Sequence, residues 1–351
     1  MEDIEPVTII GGGPSGAYCA YDLCINGIYP IIINNSYPQG KPCGGRIQLK
    51  NIQQFSLIKN ILEKARNKKI ATLTDLKIAY TGNNYKLKSA QKGYNISRKY
   101  FDKQILKKAI QKGAKIINER ANFIQRSTGF QNKSKESYWI VKTKKQRIIR
   151  TKILVGADGV RSLVRWKIFS QPISKENLGK AFGFNASGIE TKMSSVKFLE
   201  SIPGYIWIFP KEKLANIGIA SELKYGNQLH RLMKNYINSY VIPEFPNFKI
   251  KAKSEYYGYL PHVKKPEFFN KKTAGEDWIL VGDAAGHVNP FHGEGIPYAL
   301  WSGKLASKAI QENNLKAYQE LWRKEYGSIL TSFCKLKATY YDSKFKEKEL
   351  S

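Results

Sequence analysis

The sequence predicts an α/β fold: a Rossmann-like domain assembled from discontinuous segments, an inserted antiparallel-sheet domain, and C-terminal helices. Three observations predict it. Near the N-terminus an apolar run, Val7-Thr8-Ile9-Ile10, enters Gly11-Gly12-Gly13-Pro14-Ser15-Gly16, which has the spacing G-x-G-x-x-G. Far along the chain Trp278-Ile279-Leu280-Val281 enters Gly282-Asp283, followed by a second glycine-rich turn through Pro290 to Gly293-Glu294-Gly295-Ile296. Between them, residues 183–259 change to a strand-like pattern, with 205–209 and 215–220 joined by a Lys-Glu-Lys turn.

Each element follows in order. After Gly16, small and apolar residues (Ala17, Ala20, Leu23) mark a helix ending near Gly27, and Ile31-Ile32-Ile33 is a second buried strand. This is the βαβ dinucleotide fingerprint: Gly11 makes the turn, Gly13 lets a pyrophosphate approach, and Gly16 lets helix and strand pack closely. The acidic residue expected about 20 positions on, at the ribose, is replaced by Asn34-Asn35. An amide accepts a hydrogen bond without the charge that strengthens it. A polar loop follows from 36 to 46. Arg98 opens a helix carrying Phe101-Asp102, Ile105, Leu106, Ala109 and Ile110, which ends near Gly113. Strands are expected at 115–117, 138–143 and 148–155, the last entering Gly156-Ala157-Asp158-Gly159. In the 282–296 run, one acidic side chain at a strand end and glycines opening a helix suit a polyol and a diphosphate. From Pro297 the chain reads as helical, Lys-rich and aromatic.

Composition bounds the function. The chain of 351 residues, 42% hydrophobic, is large enough for one big core or two moderate ones. No apolar stretch reaches the length of a membrane span, and Met1-Glu2-Asp3 does not begin a signal peptide. Cys19, Cys24, Cys43 and Cys334 form no C-x-x-C pair and no zinc spacing, so no metal is expected and a cytoplasmic location fits. Cys19 and Cys24 read as small packing residues of the first helix. The net charge of +30, from 58 basic and 28 acidic residues, concerns association and not fold. The lysines are spread along the chain and no nucleic-acid module appears, so no nucleic-acid partner is expected. Peripheral docking on an anionic membrane surface and a plain bias towards Lys, Asn and Ile both stay open.

Taken together, these residues resemble the geranylgeranyl reductase family of FAD-dependent oxidoreductases, within the p-hydroxybenzoate hydroxylase-like flavoprotein fold, as a short variant. The broad matches are G-x-G-x-x-G, Arg98 with Phe101-Asp102, Gly156-Ala157-Asp158-Gly159, and Gly282-Asp283. The narrower ones are Lys41-Pro42-Cys43-Gly44-Gly45, Gly204-Tyr205-Ile206-Trp207-Ile208-Phe209-Pro210-Lys211, and Pro290 through Gly293-Glu294-Gly295-Ile296. The third glycine frequent in the Cys43 motif is Arg46 here.

The resemblance implies an FAD-binding domain over 1–35, 94–170 and 275–312, a substrate domain over 36–93 and 171–274, and a helical segment over 313–351. It implies hydride transfer from reduced flavin to isolated double bonds of a polyprenyl lipid, with NAD(P)H or ferredoxin as reductant. The same fold also serves flavin-dependent monooxygenases and halogenases acting on small aromatics, and a non-catalytic FAD- or lipid-binding protein is a further reading. Implied cofactor contacts are Gly11, Gly13, Pro14, Ser15, Gly16, Asn34, Asn35, Cys43, Gly44, Gly45, Arg98, Asp158, Asp283, Pro290 and Gly293 to Ile296. Arg98 otherwise reads as a solvated helix-start residue, and Asp158 as the closure of a strand-to-helix turn. Cys43 is placed to deliver a proton, to shape the pocket, or to pack as a small hydrophobe. Tyr205, Trp207 and Phe209 share one strand face by period two. With Pro210 they are implied to line the isoprenoid cavity, against a reading as core packing. His287 and His292 flank Pro290 as titratable candidates, His292 being the one carried forward as catalytic.

Overall fold

The computed structural model describes residues 4–35, 41–79, 91–131 and 134–349. Met1-Glu2-Asp3 and residues 36–40 of the expected polar loop lie outside the described residues. The chain forms two compact units, each threaded by three segments: 1–39, 102–174 and 263–335, and then 40–101, 175–262 and 336–351. Residues 313–335 thus belong to the first unit and 336–349 to the second, where the sequence reading set 313–351 apart.

The first unit is built on a seven-stranded sheet in the order Lys115–Ile117, Ile31–Ile33, Ile4–Ile10, Ile148–Gly156, Ser134–Thr143, Ala121–Gln131, with Trp278–Leu280 also paired to Ile148–Gly156. The central pairings are parallel, Ile10 lying opposite both Ile33 and Gly156. Parallel strands covered on both faces read as continuous apolar runs, which is why Val7–Ile10 and Ile31–Ile33 are almost fully buried. Ile10, Ile33, Val141, Leu154, Val164 and Leu280 close one core. The Pro14–Ile25 helix packs on the Ile296–Gln311 helix at a glycine: a Cβ on Gly303 would stand 2.4 Å from the Ser15 carbonyl oxygen. Cys19 and Cys24 are buried there, and burial pushes the Cys24 thiol up to about 11. Both are packing residues, as their helical positions suggest.

The second unit carries a nine-stranded sheet. Its middle is antiparallel: Gly204–Pro210 pairs with Ala215–Glu222, which pairs with Leu178–Ser187. The turn between the first two is the Lys-Glu-Lys turn of the sequence. One face of these strands, Phe182, Phe184, Ile206, Ile208, Ile217 and Ile219, packs on Leu229, Met233 and Val241. The strand-like pattern expected over residues 183–259 is interrupted at this point. Residues 229–244 are helical, with Ile237–Val241 forming a π-helical turn between Leu229–Tyr236 and Ile242–Glu244. Leu229, Met233 and Val241 recur at helical spacing, and that face covers the sheet. At the C-terminal end buried Lys337 reaches His262 Nδ1 (3.0 Å) and Glu222 (3.5 Å), and the Tyr341 hydroxyl donates to the Gly204 carbonyl (3.1 Å). Among the described residues no helix is long and apolar enough to cross a membrane.

Candidate functional site

In the first unit the glycines divide into those the fold requires and those it leaves open. Gly11 has φ +104, and a Cβ there would stand 2.3 Å from the Ala157 carbonyl oxygen. A Cβ on Gly16 would stand 2.0 Å from the Gly11 carbonyl oxygen and 2.9 Å from Ala157 Cβ. Gly13 is different: its φ is −70, it caps the Pro14–Ile25 helix, and nothing lies within 4 Å of a Cβ built there. The positive end of the helix is therefore open at Gly13, with Pro14 pre-set for the first turn.

The distant glycine run meets this turn. A Cβ on Gly282 would stand 2.8 Å from Ser15 Oγ, and Gly282 N–H donates to Ser302 Oγ (2.9 Å). Asp283 Oδ1 is 3.7 Å from the Cβ position of Gly295. Asn289 shapes the turn around Pro290: its Oδ1 accepts from the N–H groups of Phe291 (2.9 Å) and His292 (3.2 Å). Its carbonyl accepts from Gly293 N–H and its own N–H donates to the Glu294 carbonyl, both at 2.9 Å. Gly295 then caps the Ile296–Gln311 helix. Asn34 Oδ1 accepts from Gly12 N–H (3.1 Å), so this amide braces the glycine turn, while Asn35 is exposed. An open helix N-terminus, a Cβ-free approach at Gly13 and a carboxylate on the adjoining strand end form a donor set that fits the diphosphate and polyol of FAD.

Three predicted residues behave differently. Both Asp158 oxygens are engaged by the turn that starts the Leu163–Phe169 helix, accepting from Ser162 Oγ (2.5 Å) and from Leu163 N–H (2.6 Å). Its geometry is that of turn closure. His287 is wholly buried, its ring centroid 4.4 Å from that of Trp322 and its Nδ1 2.9 Å from the Tyr326 hydroxyl. Burial, helped by Arg165, brings its pKa down to about 3, so it is a neutral core residue and no proton relay near neutrality. His292 is half-buried and packs edge-on against Phe333, with ring centroids 5.1 Å apart.

His287 carries a stability prediction. An unfolded histidine takes up its proton near 6.5, and the folded one resists until about 3. Stability is therefore full above 6.5 and falls as pH drops through that window, by about 1.4 kcal/mol per unit. Urea midpoints of a His287→Phe variant should fall less steeply with acid than those of the parent. Parallel slopes would show that His287 does not set the acid limit.

In the second unit the Cys43-Gly44-Gly45 turn lies on the predicted aromatic strand. A Cβ on Gly44 would stand 2.6 Å from the Phe209 ring and 2.7 Å from Trp207 Nε1. Gly45, at φ +79, has its Cβ position 2.0 Å from the Ile96 carbonyl oxygen and 3.7 Å from Lys211 Nζ, and its N–H donates to Cys43 Sγ (3.4 Å). Tyr205, Trp207 and Phe209 do share one face, with successive ring centroids 5.9 and 6.2 Å apart. The opposite face holds Ile206 and Ile208 in the core. Cross-strand glycines make room for the rings, since a Cβ on Gly218 would stand 2.1 Å from Trp207 and one on Gly183 would stand 2.6 Å from the Tyr256 hydroxyl. Asn216 orients the wall, accepting from Trp207 Nε1 (2.8 Å) and the Tyr256 hydroxyl (2.9 Å).

Asn95, Asn216 and Tyr256 were missed by sequence reasoning, and Lys211 and Arg46 were named by it without a role. Lys211 was read only as the last residue of the aromatic-strand motif. Its ammonium is buried beside Cys43, with no salt bridge to a carboxylate among the described residues, and burial pulls its pKa from 10.5 to about 8 against the opposing pull of Cys43. The signal was the lysine directly after the aromatic strand. Arg46, at the glycine position of the motif, donates to Thr74 Oγ1 (2.7 Å), Ser194 Oγ (2.9 Å) and the Gln91 carbonyl (2.7 Å). Asn95 joins this knot and donates to the Pro210 carbonyl (2.8 Å), anchoring the end of the aromatic strand. Arg98 is buried at the first residue of the Arg98–Gln111 helix, only 7% exposed, which excludes its solvated reading.

Comparison with known proteins places the chain among flavoproteins. An FAD binding domain model matches residues 5–217, and a geranylgeranyl reductase catalytic domain model matches 184–256, which includes the aromatic strand. Fold and site thus define an FAD-dependent oxidoreductase. The chain belongs to the FAD-binding flavoproteins whose domain model spans more than half of it, and its 184–256 segment matches the geranylgeranyl reductase catalytic domain. It is 26% identical to the digeranylgeranylglycerophospholipid reductase of Methanocaldococcus jannaschii, over 95% of this chain and 86% of that protein. A geranylgeranyl bacteriochlorophyll reductase-like structure from Thermoplasma acidophilum aligns with TM-score 0.70 at 20% identity, over 98% of this chain and 88% of the other. The flavin-dependent brominase Bmp2 aligns with TM-score 0.69 at 16% identity, over 93% and 84%. At such identities the structures speak for the fold alone.

Proposed function

We propose that the protein reduces isolated carbon–carbon double bonds of a polyprenyl lipid. The observation that carries this reading is the Cys43-Gly44-Gly45 turn seated on the Tyr205, Trp207 and Phe209 wall, with the Lys211 ammonium buried beside it. The reductase names of the relatives support it.

The residues that would hold FAD are Gly11, Gly13, Pro14, Ser15 and Gly16 at the diphosphate, Asp283 at the ribityl chain, and Gly293 to Ile296 at the isoalloxazine edge. There the helix N-terminus favours the negative charge of the reduced ring. When bound and reduced, the flavin supplies the hydride. The chain's own residues do the rest. The aromatic wall is the apolar element that would face a prenyl chain, and glycines at 183 and 218 leave the room its rings and Tyr256 occupy. Lys211, holding a proton at Nζ, would serve as the general acid of the reduction, and Cys43 shapes the turn beside it. Electrons come from NAD(P)H or from a protein donor such as ferredoxin. The lipid substrate gives the strong positive charge a use in peripheral docking on an anionic membrane surface.

The test is to purify the protein, record its flavin spectrum and identify bound lipid by mass spectrometry. The reduced protein is then offered a digeranylgeranyl lipid without oxygen, and the expected product has gained one hydrogen molecule per double bond. The rival reading, a monooxygenase or halogenase on the same fold, predicts rapid oxygen consumption with a small aromatic and no lipid product. That outcome would overturn the proposal.

A further inference from the structure

The segment covering the sheet in the second unit has an outer side that its packing does not explain. Leu229, Met233 and Val241 face the core, but Tyr240 and Ile242, on either side of Val241, are 42% and 47% exposed. The π-helical turn Ile237–Val241 widens the helix there, a feature often found at functional sites. Tyr240 stacks on Tyr236, with ring centroids 5.2 Å apart, which pre-orders it for contact. The chain then returns to the sheet edge, where Lys249–Ile250 pairs with Ala186 and Ser187, leaving Ile250 44% exposed. The loop after Ser187 adjoins this return, the Cβ position of Gly188 lying 2.0 Å from the Asn247 carbonyl oxygen.

Charge identifies the occupant. Residues 229–253 hold five basic side chains (Arg231, Lys234, Lys249, Lys251, Lys253) and one acidic, Glu244. All five are exposed. A second copy of the chain would bring the same lysines against them, and lysines on an edge strand oppose such pairing. Apolar and aromatic tips within a rim of lysines instead match an anionic lipid surface, where rings settle at the headgroup level and ammonium groups meet phosphate. From these features we infer that Tyr240, Ile242 and Ile250, rimmed by Lys249, Lys251 and Lys253, form the face by which the protein docks on an anionic bilayer. The inference rests on the prenyl-lipid reading, since that substrate lies in a membrane.

The experiment uses the flavin-loaded full chain, sedimented with vesicles of phosphatidylglycerol and phosphatidylcholine in equal parts, or of phosphatidylcholine alone. The parent should bind the anionic vesicles, bind neutral ones at least about 10-fold more weakly, and lose binding as salt rises. Ile242→Ser with Ile250→Ser should lower anionic-vesicle binding by about 10-fold, and Lys249→Glu with Lys251→Glu should also remove the salt dependence. Both variants should keep the parent's flavin spectrum and its turnover of a detergent-dispersed prenyl lipid. Variants that bind anionic vesicles like the parent would overturn the docking face. So would sedimentation velocity showing a parent dimer that these substitutions split. Vesicle binding that follows the expected pattern in a protein inactive on dispersed prenyl lipid would instead overturn the substrate reading and leave the docking face standing.

Discussion

Gly16→Ala is expected to cost the protein its flavin and much of its stability, whereas Gly13→Ala costs the flavin alone. The two positions lie in one turn and differ in what surrounds them. A methyl group at Gly16 would stand 2.0 Å from the Gly11 carbonyl oxygen and 3.1 Å from Ile9 Cγ2, so the Pro14–Ile25 helix must move off the first strand. Overpacking of this kind costs about 1–3 kcal/mol or more, and it displaces the helix N-terminus proposed above to receive the diphosphate. At Gly13 a methyl group meets no protein atom within 4 Å, and the backbone is already in a conformation alanine adopts. Only an approaching ligand feels it. Thermal unfolding of the flavin-free proteins should therefore separate the variants, while flavin titration should show both losing affinity, by about 10-fold or more at Gly13 if the close approach is made there. Full flavin affinity in Gly13→Ala would place the diphosphate elsewhere.

Lys211→Met should make the protein more stable and far less active. At neutral pH the half-buried Lys211 carries its charge at a cost, because its pKa falls from 10.5 unfolded to about 8 folded. Between those values the unfolded chain binds more protons, so stability rises with pH across that window and the full penalty is present below it. Methionine fills similar volume without charge, and removing the penalty is expected to stabilise the protein at pH 7 by roughly 2–3 kcal/mol. Turnover should fall about 100-fold, the lower range for loss of a general acid. In the parent, turnover should decline above about pH 8 as the ammonium deprotonates. Lys211→Arg, which keeps its proton, should lack that alkaline decline. Urea unfolding and pH–rate profiles give the two readouts. A Lys211→Met protein that is stabilised yet fully active would reduce Lys211 to a buried charge without a task.

Much of the nucleotide half was legible in the sequence because it depends on backbone. Glycines that must lack a Cβ, and parallel strands buried on both faces, write themselves into spacing and apolar runs. The strands at Ile4–Ile10, Ile31–Ile33 and Ile148–Gly156 and the helix at Arg98–Gln111 stand close to where periodicity puts them. The aromatic face of Gly204–Pro210 was equally legible, since alternation on a strand fixes sidedness. Less of the side-chain chemistry could be read. Nothing local in Asp158 shows that it closes its turn, and only the folded chain reveals its bonds to Ser162 and Leu163. His287 looked titratable until Trp322 and Tyr326, far along the chain, proved to enclose it.

By itself, then, the sequence determined the fold class and the family resemblance, each carried by contiguous residues whose spacing has a backbone cause. The tertiary structure alone decided which side chains hold charge and which are mere packing. It laid the Cys43 turn on Trp207 and Phe209, buried Lys211 beside it, knotted Arg46 to Thr74 and Ser194, and left Tyr240, Ile242 and Ile250 outside. Burial and electrostatic environment are sums over neighbours distant in the chain, and no local pattern encodes such a sum.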